Sequence, residues 1–260
     1  MLETIARATR ERIAREPLCS DPATLRDRLA TLPPPREFRT AILGGPGIIA
    51  EVKMRSPSAG CLGHGLDPVD VARQYAANGA SAISVLTEPD FFGGSIQHLS
   101  AIRNAVDLPL LMKDFIVDES QVQLGRLNGA DCILLIVALL GSDTLARLRR
   151  AAAGLGLDTL IEVHSEEEMD IAIQCGATMI GVNNRDLKSL EVDLEVSRRL
   201  ARVPRPEGTV LISESGITRG EQIAELSALG YAGFLIGTHF IRTGGPGAAL
   251  AGLLARGVRA

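Results

Sequence analysis

The sequence is short of the residues that mark several protein classes. It contains no tryptophan, and aromatic residues make up only 3% of its 260 positions, so its core must come mainly from Ala, Val, Ile and Leu. No apolar run approaches the ~20 residues of a membrane span. The 27 Lys and Arg are outnumbered by 31 Asp and Glu, which leaves a net charge of −4. We therefore expect neither a membrane nor a nucleic acid as a partner.

Cysteine and histidine are also sparse and scattered. The four cysteines are Cys19, Cys61, Cys132 and Cys175, and they form no C-x-x-C pair. With no secretory signal, this favours reduced thiols in a cytoplasmic protein. The four histidines, His64, His98, His164 and His239, lack the paired spacing of a zinc site. We interpret His164 as a helix-entry residue and expect no metal.

What the sequence does contain is a regular alternation of short apolar segments and helix-like stretches. The predicted strands lie near 48–53, 81–86, 108–113, 131–137, 158–163, 178–183, 209–214 and 232–237. Helix-like stretches include 69–78, 145–153, 166–175 and 222–229. Strands joined by helices form parallel βαβ units, and about 250 residues is the usual size of a (β/α)8 barrel. An open doubly wound sheet is the alternative, but no G-x-G-x-x-G follows the first strand.

The fold prediction is therefore α/β, a (β/α)8 TIM barrel with an N-terminal helical extension. No Pro-, Gly- or Ser-rich linker divides the chain, so residues 1–260 are expected to form a single barrel domain. Within it, residues 1–45 are Arg-rich and helix-like and would pack on the barrel as the extension. Three prolines at 33–35 predict a rigid bend.

Helix starts carry their own signals. Asp67 precedes Pro68, a cap followed by a first-turn proline. Residues 165–168 and 218–221 both fit the capping-box pattern. The acidic run 166–168 then lies at the positive end of a helix dipole, which explains it without a metal site.

Polar residues gather at the C-terminal ends of the predicted strands, where barrel active sites lie. Glu51 and Lys53 are one pleat apart and point to the same face. The residues collected at this end are Glu51, Lys53, Lys113, Glu162, Asn183, Arg185 and Glu214. Any one of them alone is explained equally well by a structural ion pair. Charge delivered by five strands to one end favours a catalytic site.

Two glycine-containing turns indicate a phosphate site. Ser215 and Gly216 follow the seventh predicted strand, and Gly237 and Thr238 follow the eighth. Barrels often bind phosphate between these two loops, where glycine lets main-chain N–H groups approach the anion. We call the phosphate site formed by these two turns the phosphate cup. Ser56, after the first strand, would close this cup from the other side.

The residues alone leave other activities open. Lys53 or Lys113 is a possible Schiff-base lysine, as in an aldolase, because buried lysines at strand ends can act as nucleophiles. A phosphosugar isomerase such as phosphoribosylanthranilate isomerase would need an acid–base pair but no decarboxylation. A barrel that binds a phosphorylated ligand without catalysis is a third reading.

The motifs resemble the indole-3-glycerol phosphate synthase family of tryptophan biosynthesis. The similar stretches are 49–53 with 56–58, 84–92, 112–115, 161–164, 181–187 and 213–217. They occur in family order over about residues 45–250. The chain departs from many members at Ala59, where they have Lys, and near Gly63, where they carry a cation; Thr238 replaces a commoner Ser.

The resemblance implies a role for each site residue. Lys113 matches the general acid and Glu162 the general base. Around the reacting part of the substrate it places Glu51, Lys53, Asn183, Arg185 and Glu214. At the phosphate it places Ser56, Ser215, Gly216, Gly237 and Thr238. Phe92, Phe115 and Leu187 would line the pocket for the aromatic ring.

The resemblance also implies the reaction and its partners. The phosphosugar substrate would be 1-(o-carboxyphenylamino)-1-deoxyribulose 5-phosphate, which undergoes ring closure, decarboxylation and dehydration. No cofactor would be needed, because the iminium formed by ring attack is itself the electron sink. We expect a cytoplasmic monomer, with a weak dimer as the alternative.

Overall fold

The structure is a computed structural model that describes residues 2–15, 21–57, 60–63 and 65–257. Cys19, Ser58, Ala59 and His64 lie outside the described residues. Within the described ranges, no helix combines the length and apolar character needed to cross a membrane. The remaining cysteines are free thiols, with Cys132 buried and Cys61 exposed.

Eight parallel strands close into a barrel, which confirms the predicted TIM-barrel fold. In chain order the barrel strands are β1 (Gly47–Val52), β4 (Ala82–Leu86), β5 (Leu110–Lys113), β6 (Cys132–Ile136), β7 (Asp158–Val163), β8 (Met179–Asn183), β9 (Val210–Glu214) and β10 (Tyr231–Ile236). Each pairs with its sequence neighbour, and β1 pairs with both β4 and β10 to close the ring. A short antiparallel pair, β2 (Arg55–Ser56) and β3 (Gly60–Cys61), follows β1.

Helices surround the barrel between these strands. Their bounds are α1 (Leu2–Arg15), α2 (Pro22–Ala30), α3 (Phe38–Ile42), α4 (Pro68–Ala77), α5 (Ile96–Arg103), α6 (Glu119–Leu127), α7 (Val137–Gly154), α8 (Glu166–Gln174), α9 (Glu195–Leu200), α10 (Gly220–Ala228), α11 (Thr238–Arg242) and α12 (Pro246–Gly257). The predicted helix 145–153 is only the second part of α7. Gly141, with φ 64° and ψ 171°, interrupts α7, because glycine reaches this backbone conformation without a steric penalty.

Two of the three predicted helix starts are found, one of them only in part. The Asp67 carboxylate accepts hydrogen bonds from the N–H groups of Val69 and Asp70 at 2.9 and 3.0 Å. Ser165 Oγ accepts from the Glu168 N–H at 3.2 Å. The Glu168 carboxylate does not complete that capping box; it accepts instead from the His164 N–H at 2.8 Å.

The capping box predicted at 218–221 is wrong by one residue. The third residue of α10 is Gln222, not Glu221, because the helix begins at Gly220. Gln222 Oε1 accepts from the N–H groups of Thr218 and Arg219 at 2.9 and 3.0 Å. The side chain satisfies two N–H groups before the first turn, which is the usual role of the third helical residue.

The barrel interior changes from apolar to charged along the strands. Side chains alternate in direction, so every second residue of a strand points inward. The inner apolar layer includes Ile49, Leu111, Leu160, Ile212 and Leu235, with Phe38 and Ile42 of α3 packed against it. Two residues further along, the same strands carry Glu51, Lys113, Glu162 and Glu214. The two-residue alternation of the strands therefore places these charged side chains at one end of the barrel, next to the apolar layer.

The N-terminal segment contacts both ends of the barrel. Leu2 and Ile5 of α1 line the cavity at the C-terminal end of the strands. After α2, the chain reaches the opposite end, where the Arg36 N–H donates to Asp131 at 2.7 Å and the Arg39 N–H donates to Asp158 at 3.0 Å. The three prolines predicted to form a bend lie in this non-helical connection between α2 and α3.

Candidate active site

A cavity of about 440 Å³ opens at the C-terminal end of the barrel strands. Its size falls in the range of small-molecule sites. Every residue predicted for the site lines it: Glu51, Lys53, Ser56, Phe92, Lys113, Phe115, Glu162, Asn183, Arg185, Leu187, Glu214, Ser215, Gly216, Gly237 and Thr238. Residues separated by up to 187 positions in the chain therefore meet in one space.

Lys113 is the centre of the charged group. Its Nζ lies 3.3 Å from Glu162 Oε2 and 3.5 Å from Glu214 Oε2. Both carboxylates are almost fully buried, and strand pairing sets their spacing, since Glu162 on β7 lies beside Gly181 on β8 and Glu214 on β9 lies beside Asn183. One ammonium therefore partners two carboxylates from strands that are not adjacent.

The three groups are held in different protonation states. Burial works against the charge of Lys113, but nearby Glu162 and Glu214 outweigh it and raise the pKa of Lys113 far above its usual range. Burial also opposes ionisation of Glu162, yet Lys113 and His164 hold its pKa below the ordinary value. Burial, opposed by Lys113 and reinforced by Glu162, raises the pKa of Glu214 to about 8. At neutral pH the site presents a cation, an anion and a neutral acid.

Glu51 and Lys53, which were predicted to point to the same face, form an ion pair with each other. The Tyr75 hydroxyl donates to the Glu51 carbonyl oxygen at 3.3 Å. Gly237 packs against the Glu51 side chain so closely that a Cβ there would lie 2.6 Å from Glu51 Oε1. Glycine at position 237 therefore makes room for the Glu51 carboxylate. The same residue was predicted to lie at the phosphate site.

Asn183 links the charged group to the turn after β9. Its Oδ1 accepts from Ser215 Oγ at 2.9 Å and from the Arg185 N–H at 3.0 Å, while its amide is a hydrogen-bond partner of Glu162. Ser215 and Gly216 both have positive φ, at 67° and 85°. Both residues line the cavity, and glycine takes up this left-handed backbone most readily.

The apolar side of the cavity is formed by two loops. Phe92, after β4, and Phe115, after β5, approach with ring centroids 5.8 Å apart and planes inclined at 36°. The buried Glu88 carboxylate accepts from the N–H groups of Asp90, Phe91 and Phe92 at 2.8–3.0 Å. Glu88 therefore holds the loop that carries Phe92, a role that the sequence analysis did not assign to it.

Arg12 connects α1 to both of these loops. Its guanidinium lies 3.6 Å from Glu88, 3.3 Å from Asp90 and 3.9 Å from Asp114. Asp114 is buried and also accepts from Thr87 Oγ1 at 2.6 Å. We did not predict Arg12, because nothing in the local pattern of α1 relates it to Glu88 and Asp114, which lie 76 and 102 residues further along the chain.

Two other cavity features were missed. Gly181 on β8 leaves no room for a side chain, because a Cβ would overlap the Glu214 carboxylate. Arg242, at the end of α11, lines the cavity together with Arg185, and the two cations interact. For Gly181, the only signal in the sequence was a glycine inside a predicted strand. No signal in the sequence marked Arg242.

Comparison with known proteins identifies the family. The family model described as indole-3-glycerol phosphate synthase matches residues 2–253. An indole-3-glycerol phosphate synthase from Carboxydothermus hydrogenoformans is 47% identical over 226 residues, covering 85% of this chain and 86% of the relative. One from Roseiflexus is 45% identical over 246 residues, or 91% of each chain. One from Laribacter hongkongensis is 40% identical over 260 residues, covering 98% and 99%.

Solved structures with the same architecture are more distant. A thiamine phosphate pyrophosphorylase from Pyrococcus furiosus superposes with a TM-score of 0.62 at 16% identity, covering 85% of this chain and 98% of that one. An N-acetylmannosamine-6-phosphate 2-epimerase from Clostridium perfringens gives 0.60 at 15% identity, covering 80% and 93%. These two support the barrel fold only. The family match and the relatives above it establish that this chain belongs to the indole-3-glycerol phosphate synthase family.

Proposed function

We propose that this chain converts 1-(o-carboxyphenylamino)-1-deoxyribulose 5-phosphate into indole-3-glycerol phosphate, CO2 and water, as a carboxy-lyase of tryptophan biosynthesis. The observation that carries the proposal is Lys113, held as a cation between Glu162 and Glu214 inside one cavity. A general acid must carry its proton before the reaction and a general base must lack one. Lys113 and Glu162 have these states at neutral pH.

The first step forms the carbon–carbon bond. The ring carbon that bears the carboxylate attacks the sugar ketone, and Lys113 donates a proton to the ketone oxygen as that bond forms. The attack breaks the aromaticity of the ring and creates an iminium, so the barrier is high. A positioned acid typically supplies 10²–10⁴-fold, or roughly 3–5 kcal/mol. Lys53, paired with Glu51 on the cavity wall, is placed to hold the carboxylate during this step.

The later steps restore the aromatic ring and close the indole. Loss of CO2 sends its electron pair into the iminium, which restores the benzene ring. The new hydroxyl then leaves as water with a proton from an acid, while Glu162 removes a proton from the substrate. Before substrate binds, the Lys113 ammonium stabilises the ionised carboxylate of Glu162, which is the form that acts as a base.

Two anchors would force the extended substrate into a reactive shape. On one side, Ser56, Ser215, Gly216, Gly237 and Thr238 would bind the phosphate, with Arg242 adding positive charge. On the other, Phe92, Phe115 and Leu187 would bind the anthranilate ring. Binding energy at both ends holds the reacting atoms in a near-attack geometry.

The protonation state of Lys113 argues against an aldolase. A Schiff base forms only from a neutral amine, and a lysine used in this way needs a lowered pKa. Here the surrounding carboxylates raise the pKa of Lys113 far above its usual range. Lys53 in turn is paired with Glu51.

The proposal is tested by incubating the protein with the carboxyphenylamino sugar phosphate and recording indole fluorescence together with CO2 release. Equal molar yields of indole product and CO2 are expected. Substrate binding without gas release would leave only a binding protein, and a product trapped on lysine by borohydride would indicate an aldolase. Glu162→Gln is the matched inactive control, because it keeps the shape of the side chain and removes the base.

We further propose that the protein works in the cytoplasm as a monomer. Free thiols at Cys61, Cys132 and Cys175 support a reducing compartment. The described residues of the one chain supply every group assigned to the reaction, which supports a monomer. Sedimentation at micromolar concentration distinguishes it from a weak dimer.

A further inference from the structure

A second, smaller cavity lies behind the catalytic carboxylate. It has a volume of about 240 Å³ and is lined by polar residues of the β7–α8 and β8–α9 connections, namely His164, Asn183, Asn184, Arg185, Asp186, Ser189, Glu191 and Asp193. Glu162 lines the substrate cavity and His164 does not; His164 lines the second cavity and Glu162 does not. These two residues therefore meet across the wall between the cavities.

A chain of titratable groups crosses that wall. Glu162 Oε1 lies 3.5 Å from His164 Nε2, and His164 Nδ1 lies 3.2 Å from Glu168 Oε2. The Glu168 carboxylate is fixed by a second hydrogen bond, from the His164 N–H at 2.8 Å. Glu162 is almost fully buried, whereas the Glu168 side chain retains 21% of its exposure. The contacts thus run from the buried base to a carboxylate that reaches solvent.

His164 Nε2 is buried and makes no hydrogen bond with any part of the chain that the structure describes. It faces Glu162 at a distance just beyond hydrogen-bond length. A buried polar nitrogen without a partner carries a desolvation cost that proteins normally avoid. A proton moving between His164 and Glu162 gives this atom a partner during turnover.

The proposed reaction consumes a proton, which such a path could supply from solvent. The substrate carries a carboxylate and a phosphate dianion, and the product carries only the phosphate, since the carboxyl group leaves as neutral CO2. Two protons are donated, one to the ketone oxygen and one to the departing hydroxyl, and one is taken from the substrate by Glu162. Each turnover therefore consumes one proton from solvent, at a time when substrate fills the main cavity.

We propose that His164 and Glu168 form a proton-entry path from solvent to Glu162 and Lys113, with His164 also open to the second cavity. This inference rests on the proposed function. A proton from solvent reaches His164 Nδ1 by way of Glu168, and His164 releases one from Nε2 to Glu162 Oε1. Glu162 Oε2 then passes a proton over 3.3 Å to Lys113 Nζ, which has given its own to the substrate. His164 is a positioning residue here, because it acts through Glu162 and does not touch substrate.

The charges around His164 favour this task. The groups that face it from the packed elements are Glu162 of β7, Glu168 of α8, Glu214 of β9, and Arg185, Asp186, Glu191 and Asp193 after β8. Burial opposes the imidazolium, but Glu168, Glu162 and Glu214 outweigh it and raise the pKa of His164. Histidine is the side chain whose ordinary pKa lies closest to neutrality, so an imidazole can both take up and release a proton in the physiological range.

The test replaces His164 and asks whether a small acid restores the rate. We expect His164→Ala to lower kcat about tenfold, with KM within twofold. Imidazole at about 50 mM and pH 7 should enter the second cavity, act as the missing acid–base group and recover at least half of the lost rate. His164→Gln, which keeps polar character but cannot relay protons, should be equally slow and should not respond to imidazole. Asp170→Asn, an exposed change on the neighbouring helix α8, is the control and should match the parent protein.

Proton uptake followed with a pH indicator gives a second readout. In a single turnover of the parent protein, uptake should keep pace with indole fluorescence, and in His164→Ala it should lag until imidazole is added. Unchanged kcat in both His164 variants, or a loss that imidazole does not relieve in a normally folded His164→Ala protein, would overturn the inference. If the parent protein itself produces no indole, the proposed function fails instead, so the two failures are distinguishable.

Discussion

The two ends of the substrate cavity are built by different means. At the acid–base end, Lys113, Glu162 and Glu214 are long side chains that pair with one another at 3.3–3.5 Å. At the proposed phosphate end, Ser215 and Gly216 have left-handed backbone, and both residues line the cavity. One end depends on charge, the other on backbone shape.

This difference determines how each end should fail. A substitution among the paired charges changes protonation states and leaves partners buried without compensation. A substitution in the turn changes the path of the backbone and thereby the binding of the anion. We therefore expect kcat to report on the first end and KM on the second, and the following variants test that division from the largest expected effect to the smallest.

Lys113→Met should have the largest effect. Removing the acid should lower kcat by about 10²–10⁴-fold, with KM changed far less. Because Glu162 loses its partner cation, it should take up a proton at neutral pH, where Glu214 is already neutral. The protein should lose stability by about 3–5 kcal/mol, as buried ion pairs do when one partner is removed. Steady-state kinetics and thermal unfolding measure the two effects.

Lys113→Met combined with Glu162→Gln is the matched control. The double variant should regain part of the lost stability without regaining activity, since it removes a buried carboxylate along with the cation. Turnover of Lys113→Met within tenfold of the parent would contradict the assignment of Lys113 as the acid.

Gly216→Ala should act mainly on KM. The residue has φ +85°, and a Cβ would lie 2.6 Å from Val192 Cγ1, so the turn must move. We expect KM to rise tenfold or more, which corresponds to about 1.4 kcal/mol or more of binding energy, with kcat within threefold. Gly208→Ala is the control, because Gly208 has φ +83°, an added Cβ would meet only Arg39 Nη2 at an ordinary 3.9 Å, and the residue does not line the cavity. It should lose similar stability and keep its KM; a similar KM in both variants would argue against a cup at 216.

Glu214→Gln should change the pH dependence. With burial raising the pKa of Glu214 to about 8, its neutral form prevails below that pH, and above it a second anion develops beside Glu162. In the parent protein, kcat/KM should therefore decline above about pH 8. The variant cannot ionise, so its profile should stay flat to higher pH. The same alkaline decline in both proteins would assign that limb to another group.

Arg12→Met should have the smallest kinetic effect. It keeps the apolar stem of the side chain and removes the charge that joins α1 to the loops of Phe92 and Phe115. Partly exposed ion pairs contribute about 1 kcal/mol or less, so we expect KM to rise two- to fivefold with kcat nearly unchanged. Arg198→Met, which breaks an exposed pair with Glu225 far from the cavity, is the control and should leave both constants alone.

Strand ends could be predicted well because period-two alternation is a local property. Lys113, Glu162 and Glu214 were found from their places at the ends of apolar runs, and all three line the cavity. Their assigned roles remain predictions that the variants above test. The error at α10 shows the limit of local signals, since both Glu221 and Gln222 suit a capping pattern and one residue of helix length decides between them.

Residues that act across long distances were missed. Arg12 reaches Glu88 and Asp114 only because α1 packs over the end of the barrel, and its own helix gives no indication of this. Gly181 begins the stretch 181–187 that resembles the family, but the sequence did not show why glycine is needed there. A side chain at this position would overlap the Glu214 carboxylate on the neighbouring strand. Contacts of this kind depend on which elements become neighbours after folding.

The sequence by itself determined the barrel, the end at which its charges gather and the family to which it belongs, because strand alternation and motif order are written along the chain. Only the tertiary structure decided the protonation states of Lys113, Glu162 and Glu214, since these depend on burial and on charges from other strands. It also decided that His164 lies between Glu162 and a second cavity. A pKa is set by what surrounds a group in space, and those surroundings exist only once the strands have closed.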